Sequence, residues 1–280
     1  MFLKKLAVYC GSNAPQNPSY TDHINQLADE LIEQQIDLVY GGAKVGLMGT
    51  IATRCVEEGR RVIGVIPHSL SQKEIVNTQC TELHQVESMH ERKKMMMEQA
   101  DAFVIFPGGI GTMEEFFEVW TWSSIGLLNK PIGLLNVDGY FDSLLEFFVR
   151  SQKEGLLRPE VGRKLVVSDS AKELMAELGR QSSKTILHVV DEDDFSENRE
   201  SYGQKALDRD GFIHCCLESQ LEGVLERYYK GKSDVTVMTI DVAELVSPLV
   251  YENTSGGVER FPHLYGLIPS KAMLKLDTRN

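Results

Sequence analysis

Short apolar runs alternate along this chain with longer amphipathic ones, and that alternation leaves few folds open to it. Residues 6–9, 36–40, 61–66, 102–106 and 132–135 are nearly continuous apolar or β-branched runs, and the more polar 83–86 reads as a strand between them. Such runs suit strands covered on both faces. Residues 20–34, 49–58, 89–100, 112–123, 141–154 and 171–178 carry helical periodicity instead. Strand–helix alternation implies an α/β fold, a parallel sheet with right-handed crossovers and helices on both faces. Ligands of such sheets bind beyond the carboxyl ends of the strands. Three of those ends carry glycine turns: Cys10-Gly11-Ser12, Gly41-Gly42-Ala43-Lys44-Val45-Gly46 and Pro107-Gly108-Gly109-Ile110-Gly111-Thr112.

The repeat stops near residue 178. The polar stretch 179–184 reads as a linker. Beyond it the pattern is that of a smaller α+β domain, with strands expected at 186–190, 211–215, 235–240 and 249–251, a helix at 219–229 and an acidic loop at 191–199. The expected domains are therefore 1–181 and 182–280, a division that 280 residues accommodate. A formal net charge of −12 argues against a general nucleic-acid or anionic-membrane binder. No apolar run is long enough to span a bilayer, and the lysine-led start is read as a first strand, not a signal peptide. Five cysteines without a CxxC pair suit a reduced, cytoplasmic protein.

The turn at 107–112 follows a strand and opens a helix. Glycines there let backbone N–H groups face an anion, and the helix end adds partial positive charge. A tight strand-to-helix turn explains the same residues, but the second glycine turn at 41–49 favours a ligand. Glu115 is open to two readings. Thr112-x-x-Glu115 spells a capping box, as does Ser88-x-x-Glu91. A carboxylate one turn above a phosphate cradle is also placed to act on a bound sugar. Arg92 and Lys93 stand near the start of a helix, where basic residues oppose its dipole. They form either a solvated face or the partner of an anion.

The segments YCGS, DLVYGGAKVGLMG, RVIGVIP, SMHERK and PGGIGTMEE occur in this order and closely resemble those of the LOG ("lonely guy") family, once labelled lysine-decarboxylase-like. The resemblance covers about residues 3–178. It implies a Rossmann-like, homodimeric hydrolase that cleaves the N-glycosidic bond of cytokinin-type or AMP-like purine riboside 5′-monophosphates, with no metal or cofactor. Carried onto this chain, it implies Arg92 and Glu115 as the catalytic pair. Glu74, Lys93, Gly108, Gly109, Gly111, Thr112, Glu114 and Thr121 then contact the nucleotide, and Gly11, Ser12, Gly42 and Gly46 belong to the family's other glycine loops. Ala43 departs from the pattern, since many members carry glycine there. No residue marks a pyridoxal-binding lysine, so the decarboxylase label has no chemical support. The rival function is a non-catalytic nucleotide or cofactor carrier, which would need neither Arg92 nor Glu115. Residues 185–276 resemble a small bacterial domain family of unknown function, through Ile186-Leu187-His188, Asp210-Gly211-Phe212-Ile213-His214-Cys215 and Phe261-Pro262-His263-Leu264-Tyr265-Gly266. His188, His214 and His263 either line a nucleotide-type cleft or are satisfied by the backbone. Their spacing does not suit zinc.

Overall fold

The computed structural model describes residues 3–71, 76–191, 200–232, 234–254, 256–257 and 259–279. The chain divides into two compact units. The first comprises Met1–Trp122, Lys130–Leu157 and Leu165–Ser182, and the second gathers Ser183–Asn280 with Ser123–Asn129 and Arg158–Lys164.

Up to residue 181 the elements run β1 (Lys5–Tyr9), α1 (Ser19–Glu33), β2 (Asp37–Tyr40), α2 (Gly46–Glu57), β3 (Val62–Pro67), α3 (His68–Ser71), β4 (Glu82–Val86), α4 (Met89–Gln99), β5 (Ala102–Ile105), α5 (Ile110–Ser124), β6 (Ile132–Leu135), α6 (Asp142–Lys153), α7 (Pro159–Arg163), β7 (Leu165–Ser168) and α8 (Ala171–Gln181). Among the described residues, β1–β7 form one parallel sheet in the order β4-β3-β2-β1-β5-β6-β7. Its central strands are buried along nearly their whole length, as their unbroken apolar sequences require. Apolar positions of α1 and α2, Ile24, Leu27, Leu31, Ile51 and Ala52, close the core against Leu6, Val8, Leu38 and Val104. The sheet grows outward in opposite directions from β1, toward β2 on one side and toward β5 on the other. Successive crossovers therefore diverge between the carboxyl ends of β1 and β5, which opens a crevice there.

This is the parallel sheet that the alternation implied, in the Rossmann-like form that the family resemblance implied. One local expectation changes, and one strand is added. The linker at 179–184 is shortened, because α8 continues through Gln181. Glu177 holds that last turn, pairing with Arg180 at 2.5 Å and accepting a hydrogen bond from Gln181 Nε2 at 2.8 Å. Local i,i+3 and i,i+4 pairing thus outweighs the glycine at 179. The last strand, β7, is four residues long and lies at the sheet edge.

The second part adds β8 (Thr185–Val189), β9 (Ser201–Tyr202), α9 (Gln204–Asp210), β10 (Ile213–His214), α10 (Leu221–Tyr228), β11 (Val235–Asp241), β12 (Leu249–Glu252), β13 (Phe261–Leu264), β14 (Ile268–Pro269) and β15 (Met273–Arg279). Antiparallel sheets β10-β13-β12 and β15-β11-β8 enclose Ile186, Ile213, Met238, Ile240, Tyr251 and Leu264. The strand expected at 211–215 contracts to β10, because Gly211 has φ +80° and ends α9. The helix expected at 219–229 begins as a 3₁₀ turn, Glu218–Gln220, before α10. Apart from Asp191, the acidic loop at 191–199 lies outside the described residues. Within this unit, Asn129 Nδ2 donates to the Leu245 carbonyl at 2.9 Å and Arg163 pairs with Glu252 at 2.6 Å. Among the described residues no helix is long and apolar enough to cross a membrane.

Candidate active site

The crevice between β1 and β5 is a cleft of about 630 Å³. Its floor is made by the turns after those two strands. The Gly11 N–H donates to the Pro107 carbonyl at 3.2 Å, tying the turns together. Gly108 must lack a side chain, since a Cβ there would run into Thr112 Oγ1 and the Gly11 nitrogen. The first i→i−4 bond of α5 runs from the Met113 N–H to the Gly109 carbonyl at 3.1 Å. Helix geometry then leaves the N–H groups of Ile110, Gly111 and Thr112 without intrahelical acceptors, at the mouth of the cleft. Cβ positions built on Gly109 and Gly111 meet nothing within 4 Å. An anion can therefore approach this backbone closely.

The helix start decides how Glu115 is read. Because α5 begins at Ile110 and not at Thr112, Glu115 is the sixth helical residue and too far along to cap the N-terminus. Capping does occur at α4: Ser88 Oγ accepts from the Glu91 N–H at 3.1 Å, while Glu91 Oε2 accepts from the Glu87 N–H at 2.8 Å. Glu115 is instead buried in the cleft floor, with Arg92 Nη1 at 3.4 Å from Oε1. Burial pushes its carboxyl up to about 7, and the Arg92 guanidinium only partly opposes this. A carboxyl poised near neutrality can hold or release a proton at working pH.

Arg92 is 6 % exposed, so it is no solvated face. Its Nε donates to the Val65 carbonyl at 3.1 Å, which aims the remaining guanidinium at the cleft. The guanidinium passes over Gly41, where any Cβ would collide with Nη2. Gly41 is a steric requirement of that guanidinium, one that the sequence presented only as part of a turn. Lys93 is equally buried but faces elsewhere, pairing with Glu114 and, at 3.1 Å, with Glu118. It locks α4 to α5 and does not line the cleft.

Arg92, Glu115, Gly108, Gly109, Gly111, Thr112, Glu114, Gly11 and Ser12 all line the same cleft. Gly42 and Gly46 lie behind it, with φ +79° and +57°. Gly42 packs against Ile66, and Gly46 against the Ser12 backbone. Thr121 is exposed, farther along α5. Glu74 lies outside the described residues. The wall contains groups that the motifs did not single out: Asn13, Asn17, Tyr20, Met89 and Tyr140. Asn17 and its neighbours form the asparagine- and proline-rich loop after β1, a position that strand-end logic alone could have flagged. Tyr140 carried no such signal. Its hydroxyl donates to the Gly108 carbonyl at 2.7 Å, and its ring meets Tyr20 edge-on at 5.8 Å.

Residues 48–178 match the family described as "Possible lysine decarboxylase", and residues 186–276 match "Protein of unknown function (DUF952)". The cytokinin riboside 5′-monophosphate phosphoribohydrolase LOG7 of Arabidopsis thaliana is 47% identical over 175 residues, which are 62% of this chain and 81% of that protein. A probable enzyme of the same name from Oryza sativa subsp. japonica, LOGL3, is 46% identical over 62% of this chain and 83% of its own length. Among solved structures, the Moco carrier protein of Chlamydomonas reinhardtii is similar at 18% identity and a TM-score of 0.49, over 64% of this chain and 97% of that one. Protein CC0527 of Caulobacter crescentus is similar at 21% identity and a TM-score of 0.30, over 34% of this chain and 84% of its own. The glycine-turned cleft, its buried arginine–glutamate pair and the identity to the plant enzymes agree, and the chain belongs to the LOG family of phosphoribohydrolases.

Proposed function

We propose that the protein hydrolyses the N-glycosidic bond of purine riboside 5′-monophosphates, AMP or a cytokinin-type nucleotide, releasing the free base and ribose 5-phosphate. The observation that carries this reading is the buried Arg92–Glu115 pair on the floor of a cleft whose rim is a helix N-terminus. The 5′-phosphate sits against the N–H groups of Ile110, Gly111 and Thr112. Binding energy from that phosphate positions the sugar over Glu115. The C1′–N bond breaks through an oxocarbenium-like sugar, as in other glycosyl hydrolysis. The Glu115 carboxylate orients the water and takes its proton as the oxygen bonds to C1′. The departing base nitrogen receives a proton from solvent. Arg92 holds Glu115 and reaches the sugar or phosphate oxygens.

The test is release of adenine from AMP and from adenosine, measured side by side. AMP is the better substrate, with both kcat and kcat/KM reduced for adenosine, because the missing phosphate contributes to positioning as well as to affinity. Equal kcat/KM for the two would remove the phosphate from the cradle. Tight AMP binding with no adenine released would make the protein a carrier.

A further inference from the structure

The second unit holds a cluster of polar and aromatic side chains that the reaction above does not use. Glu252 lies at its centre, 10 % exposed at the side chain, and accepts from three residues. Arg163 Nη1 is 2.6 Å from Oε2, His263 Nδ1 is 3.2 Å from Oε1, and the Tyr265 hydroxyl donates to Oε1. Phe212 stacks on the His263 ring at 4.2 Å, and His214 meets that ring edge-on at 4.9 Å. Among the described residues, Arg163 keeps Nε and Nη2 unpaired, and His263 keeps Nε2 unpaired. His188 meets the cluster through the His214 backbone. Both its nitrogens are engaged, with the His214 carbonyl at 2.6 Å and the Tyr202 hydroxyl at 3.1 Å, so its role is structural.

We propose that Phe212, His214, His263, Tyr265 and Arg163 form a second binding site, which takes an uncharged heteroaromatic ring of the nucleobase class. Hydrogen-bond logic fixes the polarity of each group. Three hydrogen-bonding partners hold the Glu252 carboxyl below its ordinary range although burial opposes them, so it is an acceptor. The His263 Nδ1 must then carry the proton, which turns Nε2 into an acceptor. Burial holds His263 below the usual imidazole range, and His214, partly exposed, shifts the same way although Asp210 at 3.7 Å opposes it. Arg163 supplies donors on its free edge. The site thus offers one acceptor and a donor fork beside aromatic rings, which complements the mixed edge of a base.

Charge decides against an anion. The Arg163 charge is offset by Glu252, and Arg209 next to the cluster is offset by Asp210 at 2.9 Å. Phe212 is only half-buried, so one ring face is covered by His263 while the ring still reaches solvent.

The experiment is calorimetric titration of the full chain with adenine, repeated with ribose 5-phosphate and with inorganic phosphate. Phe212→Ala should weaken one adenine-binding component by about tenfold, the usual scale of a lost base–aromatic stack. His263→Phe, which keeps the ring and removes the acceptor, should do the same. Both should leave AMP hydrolysis unchanged, which separates this site from the cleft of the first unit. An adenine isotherm unaltered by Phe212→Ala overturns the proposal, even if His263→Phe lowers the melting temperature or fails to fold. So does a component that binds phosphate or ribose 5-phosphate, not adenine, and disappears in Arg163→Ala.

Discussion

Glu115 pays for its position in stability, and that links two measurements on one residue. The folded carboxyl titrates near 7, against an ordinary glutamate value of 4.5, chiefly because it is buried. Below about pH 4 both folded and unfolded chains hold the proton, and the shift contributes nothing. As pH rises, the unfolded chain releases a proton that the native state keeps, so native stability falls until the pH passes 7 and is level thereafter. Glu115→Gln cannot ionise. Its melting temperature relative to wild type should therefore rise between pH 5 and pH 8, by an amount on the order of 3 kcal/mol in free energy. Turnover should fall by about 10²–10⁴ in the same variant. In the wild type, kcat should climb through pH 7 to a plateau, since the carboxylate is the active form. A stability difference flat with pH would mean that the carboxyl is not raised, and near-wild-type turnover would remove the catalytic role. Gly41→Ala is the companion test: its methyl displaces the Arg92 guanidinium, so turnover should collapse while the sheet still forms. The Arg92–Glu115 pair was legible as residue types in motifs, but its burial was not. Whether Glu115 caps or catalyses depends on a helix start two residues before Thr112, and glycines at 109 and 111 hide that start from any propensity argument.

At the scale of elements, α5 and α6 present more apolar surface than one sheet can cover. Phe116, Val119 and Trp120 are buried, and Trp120 packs on Phe148 with centroids 4.5 Å apart. Phe117, Phe147 and Val149 remain outside, at 38 %, 59 % and 50 % exposure. An apolar patch of this kind on a first-unit helix pair marks an interaction surface, and a second copy of the chain is the partner proposed here. Light scattering at micromolar concentration should give twice the chain mass, and Phe147→Glu should shift it toward the monomer. A wild-type monomer at that concentration would rule out the pairing. The same elements show which parts of the fold could be read in advance. Strands buried on both faces declare themselves by unbroken apolar runs, and β1, β2, β3, β5 and β6 fall within a residue or two of expectation, as does the half-exposed edge strand β4 although His84 and Gln85 break its run. The edge strand β7 has only Leu165, Val166 and Val167 to signal it. Strands β13 and β15 escape for a different reason. Pro262 and His263 interrupt β13, while β15 is mostly exposed and reads as a polar tail. Such strands are held by their antiparallel partners more than by their own composition.

At the scale of the whole molecule, the chemistry and the chain boundary make separate demands. The groups assigned to phosphate, sugar and water, namely Arg92, the turn 110–112 and Glu115, all lie before residue 116. The parallel sheet and its core are complete by Leu178. These observations argue that a chain ending at Gln181 keeps the reaction. Yet Ser123–Asn129 and Arg158–Lys164 cluster with the second unit. Removing that unit deprives Asn129 of the Leu245 carbonyl and Arg163 of Glu252. Each lost hydrogen bond of this kind costs roughly 1 kcal/mol, somewhat more where a charge is involved. The stretch after α5 and the α7 region would be loosened without any change to the cleft floor. The truncated chain should therefore melt cooperatively at a lower temperature than the full chain, while hydrolysing AMP at a rate within a few-fold of it. If it melts cooperatively but has lost most of its turnover, the second unit contributes directly to the reaction, by closing over the substrate or by completing a dimer. Chain mass by light scattering on the same sample then separates those two: a truncated dimer without activity points to closure, and a monomer to the missing partner.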